Sequence, residues 1–500
     1  MITSICLIFV NIIVSQIPGI WFSPENQGLY QWSPPQTIPG YQSQTWPPIL
    51  IADRNRMVHA FSYQWLGDDE GDSRRAIVYN NWSRETGWNE PVDILLSPIK
   101  GDARLTSAFL DQEGMMHVVF WGGDNTQANF YYSKAPAADA GNARAWSSPV
   151  LITANAGDPE GSALFAKGSD QLGVLFHGNQ EGNGIYATYS IDGGDSWSNP
   201  ELLFPSGDLL IRDLQISQSQ SGKLHAIWNE ITTGGEGRGI YYSSLRIGDS
   251  QWSPPIKLVQ AESGYGVQTP ALIEYRGDIF AFFNVGGTVG IVMRRSMDEG
   301  ISWSQPVQIF SRHVGVNGSL SLVVDGNDDL HIFFGQRITG NPDIHGMWHS
   351  VWQGGKWSEP EPIVSGPQIA DLVGDKAFDP YEARAVVSHG NVILVTWRSD
   401  PGLKGNGVWY SYKNLDAAEL PIEVLPTVRL VLTHESTEAA STPMTLAQNE
   451  LSNQPSELFS ESLNEETGGM SSPIQLMIVG VVPAIILISG VIIMKRLLHR

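Results

Sequence analysis

A tryptophan followed two or three residues later by proline recurs seven times along this chain, at Trp32 (WSPP), Trp88 (WNEP), Trp146 (WSSP), Trp197 (WSNP), Trp252 (WSPP), Trp303 (WSQP) and Trp357 (WSEP). The intervals, by subtraction of those positions, are 56, 58, 51, 55, 51 and 54 residues. A period of that size is one small sheet per unit, stacked against its neighbours because no unit can bury its apolar face alone. Each unit supplies the strands. An aromatic strand precedes most of the tryptophans, as in FYYSK at Phe130, IYATYS at Ile185 and IYYSS at Ile240, and the last unit ends in VWYSY at Val408. Before it comes an apolar strand (MVHAF, MMHVVF, KLHAIW, DLHIFF), and each unit opens with another, such as LTSAFLD at Leu105 or ARAVVS at Ala383.

Four short strands per unit, joined by turns, predict an all-β fold, a β-propeller of four-stranded blades. Seven blades are expected, with six and one degenerate unit as the alternative. The first Trp-Pro strand has no strands ahead of it, and the last unit has none after Val408–Tyr412. The N-terminal strand is therefore expected to complete the last blade and leave no long open edge.

The 500 residues are 42% hydrophobic and only 16% charged, which suits many strands and turns better than long solvated helices. A net charge of −22 argues against nucleic acid or an anionic membrane surface as main partner, since both need a basic face. Cys6 is the single cysteine, so no internal disulfide, thiol nucleophile or cysteine metal site is available.

The ends differ from the body. Residues 1–22 read as a signal peptide, or else an N-terminal anchor, around the apolar run Ile5–Val14. Residues 24–413 are the propeller; 414–472, rich in Ser, Thr, Glu and Pro, read as a disordered stalk. Residues 474–494 are an uncharged run long enough to cross a bilayer as a helix, and 495–500 (KRLLHR) a basic cytoplasmic tail. The expectation is a single-pass protein of the cell membrane with the propeller outside.

Two of the turns before Trp are near copies: SIDGGDSW over Ser190–Trp197 and SMDEGISW over Ser296–Trp303. Each falls between the third and fourth strands of its unit, where an Asp side chain can accept backbone N–H groups and a glycine can take positive φ. Ser190, Asp192, Gly194 and Trp197, with Ser296, Asp298, Gly300 and Trp303, are thus sufficient as a turn. The pattern S-x-D-x-G-x-S-W resembles the Asp-box, or bacterial neuraminidase repeat, of the sialidase-like propellers. That resemblance implies a structural fastener on the face opposite the substrate.

Strand direction places the working side independently, at the loops between second and third strands and the links into the next blade, which vary in length. Sialidases combine an arginine cluster that grips a carboxylate with a Tyr nucleophile, a Glu that assists it and an Asp acid/base. The resemblance therefore directs attention to Arg104, Arg212 and Arg384 at the heads of opening strands, with Tyr381 and Glu382 in DPYEARAVV. Regular alternation would put Glu382 and Arg384 on one face, which reads equally as an ion pair between blades. Asp102 near Arg104, and Asp213 beside Arg212, allow the same account. Two features depart from the family: there is no F/Y-R-[IL]-P segment, and the count is seven where sialidases have six.

The favoured reading is a recognition module in which Trp121, Trp228, Asn229, Arg337, Trp397 and Arg398 bind a carbohydrate or a surface protein by stacking and hydrogen bonding, with a sialidase-like glycoside hydrolase built on the arginines and Tyr381 as the alternative. A third is a purely structural surface protein. His59, His117, His225 and His331 occupy one slot of the second strand in four blades, so ring symmetry holds them apart and they read as packing rather than as metal ligands. No cofactor and no metal is expected, the oligomeric state is left open, and Asn81 and Asn317 begin N-x-S sequons.

Overall fold

The computed structural model describes residues 31–422, except 67–73, 155–160, 262–265, 315–317, 337–343, 366–379, 400–406 and a few isolated positions. The leader, nearly all of the stalk, the span and the tail expected above lie outside the described residues, as do Arg337 and Asn317. The chain divides into a unit through Leu430 and a second from Val431, and the propeller belongs to the first. No helix among the described residues is long and apolar enough to cross a membrane.

Seven antiparallel sheets form the ring. With strands lettered a to d in chain order, blade 1 is Ile49–Ala52, Val58–Trp65, Arg75–Ser83 and Val92–Leu95. Blade 2 is Asp102–Leu110, Met115–Gly123, Ala128–Pro136 and Val150–Ala154; blade 3 is Ser162–Ala166, Leu172–Gly178, Asn183–Ser190 and Glu201–Gly207. Blade 4 is Leu210–Gln218, Leu224–Ile231, Gly237–Leu245 and Ile256–Gln260; blade 5 is Val267–Tyr275, Asp278–Val285, Gly290–Ser296 and Val307–Gln308. Blade 6 is Ser321–Val324, Leu330–Gln336, Gly346–Gln353 and Glu361–Ser365. Blade 7 is Pro380–Ser388, Val392–Ser399 and Gly407–Asn414, and its strand d is Gln36–Thr37 from the N-terminal side. The blade count is seven, and the closure expected from the Trp-Pro register is the one found.

Strand a of each blade touches strand a of the next all the way round, so the opening strands line the axis. Burial follows the same ring. Seven apolar clusters lie one at each blade interface, from Phe61, Ile77 and Met116 between blades 1 and 2 to Val58, Trp82, Val392 and Leu394 between blades 7 and 1. A fully buried Trp82 stabilises that last interface by roughly 2–3 kcal/mol through apolar burial.

The SxDxGxSW turns fasten blade to blade. In each, the serine hydroxyl donates to the aspartate and accepts the glycine N–H: Ser190 Oγ to Asp192 Oδ1 is 2.7 Å and Gly194 N to Ser190 Oγ is 2.8 Å. The second copy matches, at 2.8 Å for both bonds. Each hairpin then seats on a tyrosine from strand c of the preceding blade. Tyr132 Oη donates to Gly193 O at 3.1 Å and Trp197 packs edge-on to the Tyr132 ring; Tyr242 and Trp303 repeat the contact.

Behind these tyrosines stand the slot histidines. His59, His117 and His225 each contact the strand-c tyrosine through Nδ1, at 2.8, 2.6 and 2.6 Å. Three of the four slot histidines face an aspartate six residues upstream through Nε2: Asp53 at 3.3 Å, Asp111 at 3.1 Å and Asp325 at 3.3 Å. Each aspartate also caps its own a–b turn, as Asp111 does for Glu113 N and Met115 N. In blade 4 the upstream residue is Ser219, and His225, without a carboxylate, is pushed down to about 4 by burial and by Lys223. The slot is Gly173 in blade 3, where a Cβ would lie 2.2 Å from the Phe165 ring.

Two measurements test the fastener. Gly300 has φ +87° and a Cβ there would fall 1.9 Å from Tyr242 Oη, whereas Gly354, at φ +59°, has open space. G300A is expected to lower stability in urea by roughly 2–4 kcal/mol and G354A by about 1 kcal/mol, since only the first adds overlap to backbone strain. Asp192 and Asp298 are each lowered to about 2, chiefly by the hydroxyls of Ser196 and Ser302. Their contribution is therefore full above about pH 4 and lost as pH falls through about 2. The stability gap between wild type and a D192N/D298N variant should stay constant from pH 7 to 5 and close below 4.

Candidate functional site

The side bearing the d–a links and b–c loops is chemically unlike the fastened side. There the opening strands are irregular at their heads. The a–b register slips between Arg212 and Gln215, Gln268 and Ala271, and Tyr381 and Arg384. Within each slip stands a non-glycine residue at positive φ: Asp213 (51°), Thr269 (50°) and Glu382 (57°). Such conformations cost about 1–3 kcal/mol each and cluster where side chains are re-aimed for function.

In blade 7 this strain surrounds a buried cation. Arg398, on strand b, is 4% exposed and pairs across the ladder with Tyr381. Its guanidinium lies 4.4 Å from the Trp46 ring and 6.0 Å from that of Tyr381. Trp46 belongs to the link from the N-terminal strand into blade 1, held by Ser62 Oγ, which donates to Trp46 O at 2.6 Å, and by Thr45 on Gln64 at 3.0 Å. No described carboxylate pairs with Arg398, and its Nε is buried without a hydrogen-bond partner. A desolvated charge in that condition is costly unless something anionic completes it.

The remaining expected residues are distributed as follows. Glu382 accepts from Ser319 Oγ of the blade 5–6 link. The bulge breaks the regular alternation that would have aimed Glu382 and Arg384 alike, and in place of the anticipated ion pair between blades Glu382 takes this hydroxyl of the neighbouring link. Arg384, half-buried, makes no ion pair among the described residues. Arg104 is bound to Asp102 at 2.9 Å, which also takes Arg75 at 2.8 Å, and it leans on Trp121 at 5.1 Å. Arg212 pairs with Asn229 across blade 4. Tyr381, Glu382, Arg384 and Arg398 are thus brought together on blade 7, while Arg104 and Arg212 stand on blades 2 and 4.

Trp228 and Trp397 are 1% and 0% exposed, Trp228 stacked between Phe204 and Tyr241, so neither ring offers a face for a ligand to stack on. Both belong to the interface between blades because the strand carries its apolar pattern to its end. Asn229 is also buried, with Oδ1 unpartnered. Its counterpart Asn284 donates to Thr269 Oγ1 at 2.5 Å and to Gly318 O at 3.1 Å, tying blade 5 to the next link. Burial raises Glu230, beside Asn229, against a hydrogen bond from Tyr241 and the charge of Lys257, making it a candidate proton donor. Trp46 and Glu230 were not legible as site residues. The only sequence signal for Trp46 is Pro47-Pro48 behind it, and Glu230 depends on its desolvation. Among the described residues no group of His, Cys, Asp and Glu could hold a metal ion.

This arrangement belongs to the propeller class, and comparison with solved structures agrees. An ulvan lyase of a polysaccharide lyase family aligns at TM-score 0.51 and 11% identity, covering 78% of this chain and 95% of that one. A protein of unknown function from Dyadobacter fermentans aligns at 0.46 and 13%, covering 77% and 99%. An intramolecular trans-sialidase from Ruminococcus gnavus aligns at 0.42 and 12%, covering 75% and 95%. At these identities the likeness is one of fold. No family profile matches the chain, and no curated protein does.

R398M is expected to leave the melting temperature unchanged or to raise it, because removing a buried charge that no described carboxylate pairs, at near-constant volume, offsets the lost contact with Trp46. A drop of several degrees by calorimetry would mean that Arg398 is neutralised within the fold.

Proposed function

We propose that this protein is a sialidase-like propeller presented outside the cell on the 414–472 stalk and the 474–494 span, binding a glycan through the b–c loop side. The two SxDxGxSW turns are read as Asp-boxes that hold the opposite side. The observation that carries the reading is the Trp46–Arg398–Tyr381 nest. A guanidinium with an unpartnered Nε beneath an indole suits a ligand that is flat and apolar on one side and bears a carboxylate or sulfate on the other. Arg384, without an ion pair among the described residues, stands on the neighbouring strand to add a second charge. The ulvan lyase likeness is a fold-level analogy in keeping with a saccharide ligand.

A second reading, hydrolysis of an acidic glycoside of the sialidase type, is favoured by Tyr381 lying beside Arg398 on a strained strand. Tyr381 would be the nucleophile, Glu382 its assisting carboxylate, and the arginines, Arg104 and Arg212 among them, the carboxylate grip.

The test uses the full chain on an array of neutral and acidic glycans. Binding confined to acidic glycans and weakened at least roughly tenfold by R398M, the loss of about one charge-assisted contact, is the expected result. Equal binding by R398M would remove the nest from the site. Turnover of a fluorogenic α-sialoside that disappears in R384A would select the second reading.

A further inference from the structure

Three arginines on the loop side each lie against an indole. Arg398 is 4.4 Å from the Trp46 ring, Arg75 is 4.0 Å from that of Trp65, and Arg104 is 5.1 Å from that of Trp121. They stand on blades 7, 1 and 2, consecutive around the ring. No other arginine–tryptophan pair of this kind occurs among the described residues. The blade repeat does not force the series. Arg75 faces Trp65 across strands c and b of blade 1, and Arg104 faces Trp121 across strands a and b of blade 2. In blade 7 the indole comes instead from the link that carries Trp46. Three different pieces of backbone deliver the same pair.

A continuous path of contacts joins them. The link is pinned to the end of strand b in blade 1, where Gln42 Nε2 donates to Trp65 O at 3.1 Å. Arg75 then donates to Asp102 Oδ2 of blade 2 at 2.8 Å, and Arg104 donates to the same oxygen at 2.9 Å. Trp46 and Trp65 are half-buried, which leaves part of each open to a ligand, whereas Trp121 is 6% exposed and only backs its arginine.

Charge along this path runs against that of the chain. The sequence holds 52 acidic and 30 basic side chains, yet here three guanidiniums meet one described carboxylate. Tying blade 1 to blade 2 takes one guanidinium and one carboxylate. A second guanidinium on the same oxygen brings like charges together, a repulsion that an anion from outside relieves. Arg75 uses one of a guanidinium's five N–H donors on Asp102 and Arg104 uses two, so both keep donors for a second acceptor. Their side chains remain 22% and 32% exposed.

We propose that the three pairs are successive subsites for one ligand, an oligosaccharide of several rings that carries a carboxylate or sulfate at intervals and lies along the loop side from blade 7 to blade 2. Neighbouring sheets pack about 10 Å apart, so the outer pairs, two blades apart, are separated by more than the width of one sugar ring. The proposal rests on the reading of the Trp46–Arg398 nest as a glycan site and extends it. Arg104 holds a different acidic group from the one on Arg398.

Calorimetric binding of the full chain to galacturonic acid oligomers and heparin fragments, each from two to eight rings, tests the extension. Affinity should rise at least roughly tenfold with length, the worth of about one added charge-assisted contact. R75Q/R104Q should abolish that rise, whereas R398M should weaken binding at every length. D102N separates a subsite from a tie between blades. It removes the carboxylate and keeps both arginines, so it should bind the longest oligomers at least as tightly as wild type. Weakening in D102N as large as in R75Q/R104Q would assign the triad to holding the blades and overturn the proposal. An affinity independent of length, or no binding to either series, would overturn it too. In the first case a loss in R398M leaves the nest standing, and in the second retention of acidic glycans on the array does so. If R75Q/R104Q does not fold, the wild-type length series and D102N decide.

Discussion

A tryptophan at the start of each outer strand, packed on the blade before it, is the contact on which the ring depends. Trp197 meets Tyr132, Trp303 meets Tyr242, Trp146 meets Phe61, Trp252 meets Phe165, Trp357 meets Phe282 and Trp88 meets Tyr410. Trp32 completes the series against Phe333 and His349, although it lies at the other end of the chain from the blade it serves. With one cysteine and no internal disulfide, closure rests on this packing and on a strand d of two residues. Between blades 6 and 7 a cleft remains where a hairpin is missing, and Glu361 ties Trp32 and Lys413 to His349.

The two sides of the ring divide their physical work. On the hairpin side, polar groups are satisfied in repeated local patterns: aspartate to turn amides and histidine, histidine to tyrosine, tyrosine to a carbonyl of the next blade. Those bonds recur from blade to blade and join each turn to its own strands and to its neighbour, as expected of structure. On the loop side, the opening strands slip register, three non-glycine residues sit at positive φ, and a guanidinium is buried with no carboxylate partner among the described residues. Strain and an uncompensated charge on a rigid scaffold make the more informative surface, because the fold gains nothing from either.

Much of this was legible in the chain. The Trp-Pro interval, the aromatic strands and the unpaired first and last strands together point to a closed ring of seven, with six as the alternative that the structure removes, and S-x-D-x-G-x-S-W at that position points to a hairpin. The slot histidines were rightly separated by ring symmetry, since each finds its partner on its own blade. Less legible were Trp228 and Trp397, where a tryptophan beside a polar loop reads as a platform although the strand buries it. Glu382 was misaimed for a different reason: a β-bulge inverts alternation, and nothing in PYEARAV marks one.

By itself, then, the sequence determined what repeats: period, strand order, turn chemistry and the residues whose side chains bond within four or six positions of themselves. Such contacts are local, and composition and spacing suffice to specify them. Only the tertiary structure decided what occurs once. The meeting of Trp46 with Arg398, of Ser319 with Glu382, and of Trp32 with Glu361 joins residues 63 to 352 positions apart in the chain. Those encounters depend on where the ring closes and on which strand bulges, and both are set by packing between blades rather than by any pattern within one.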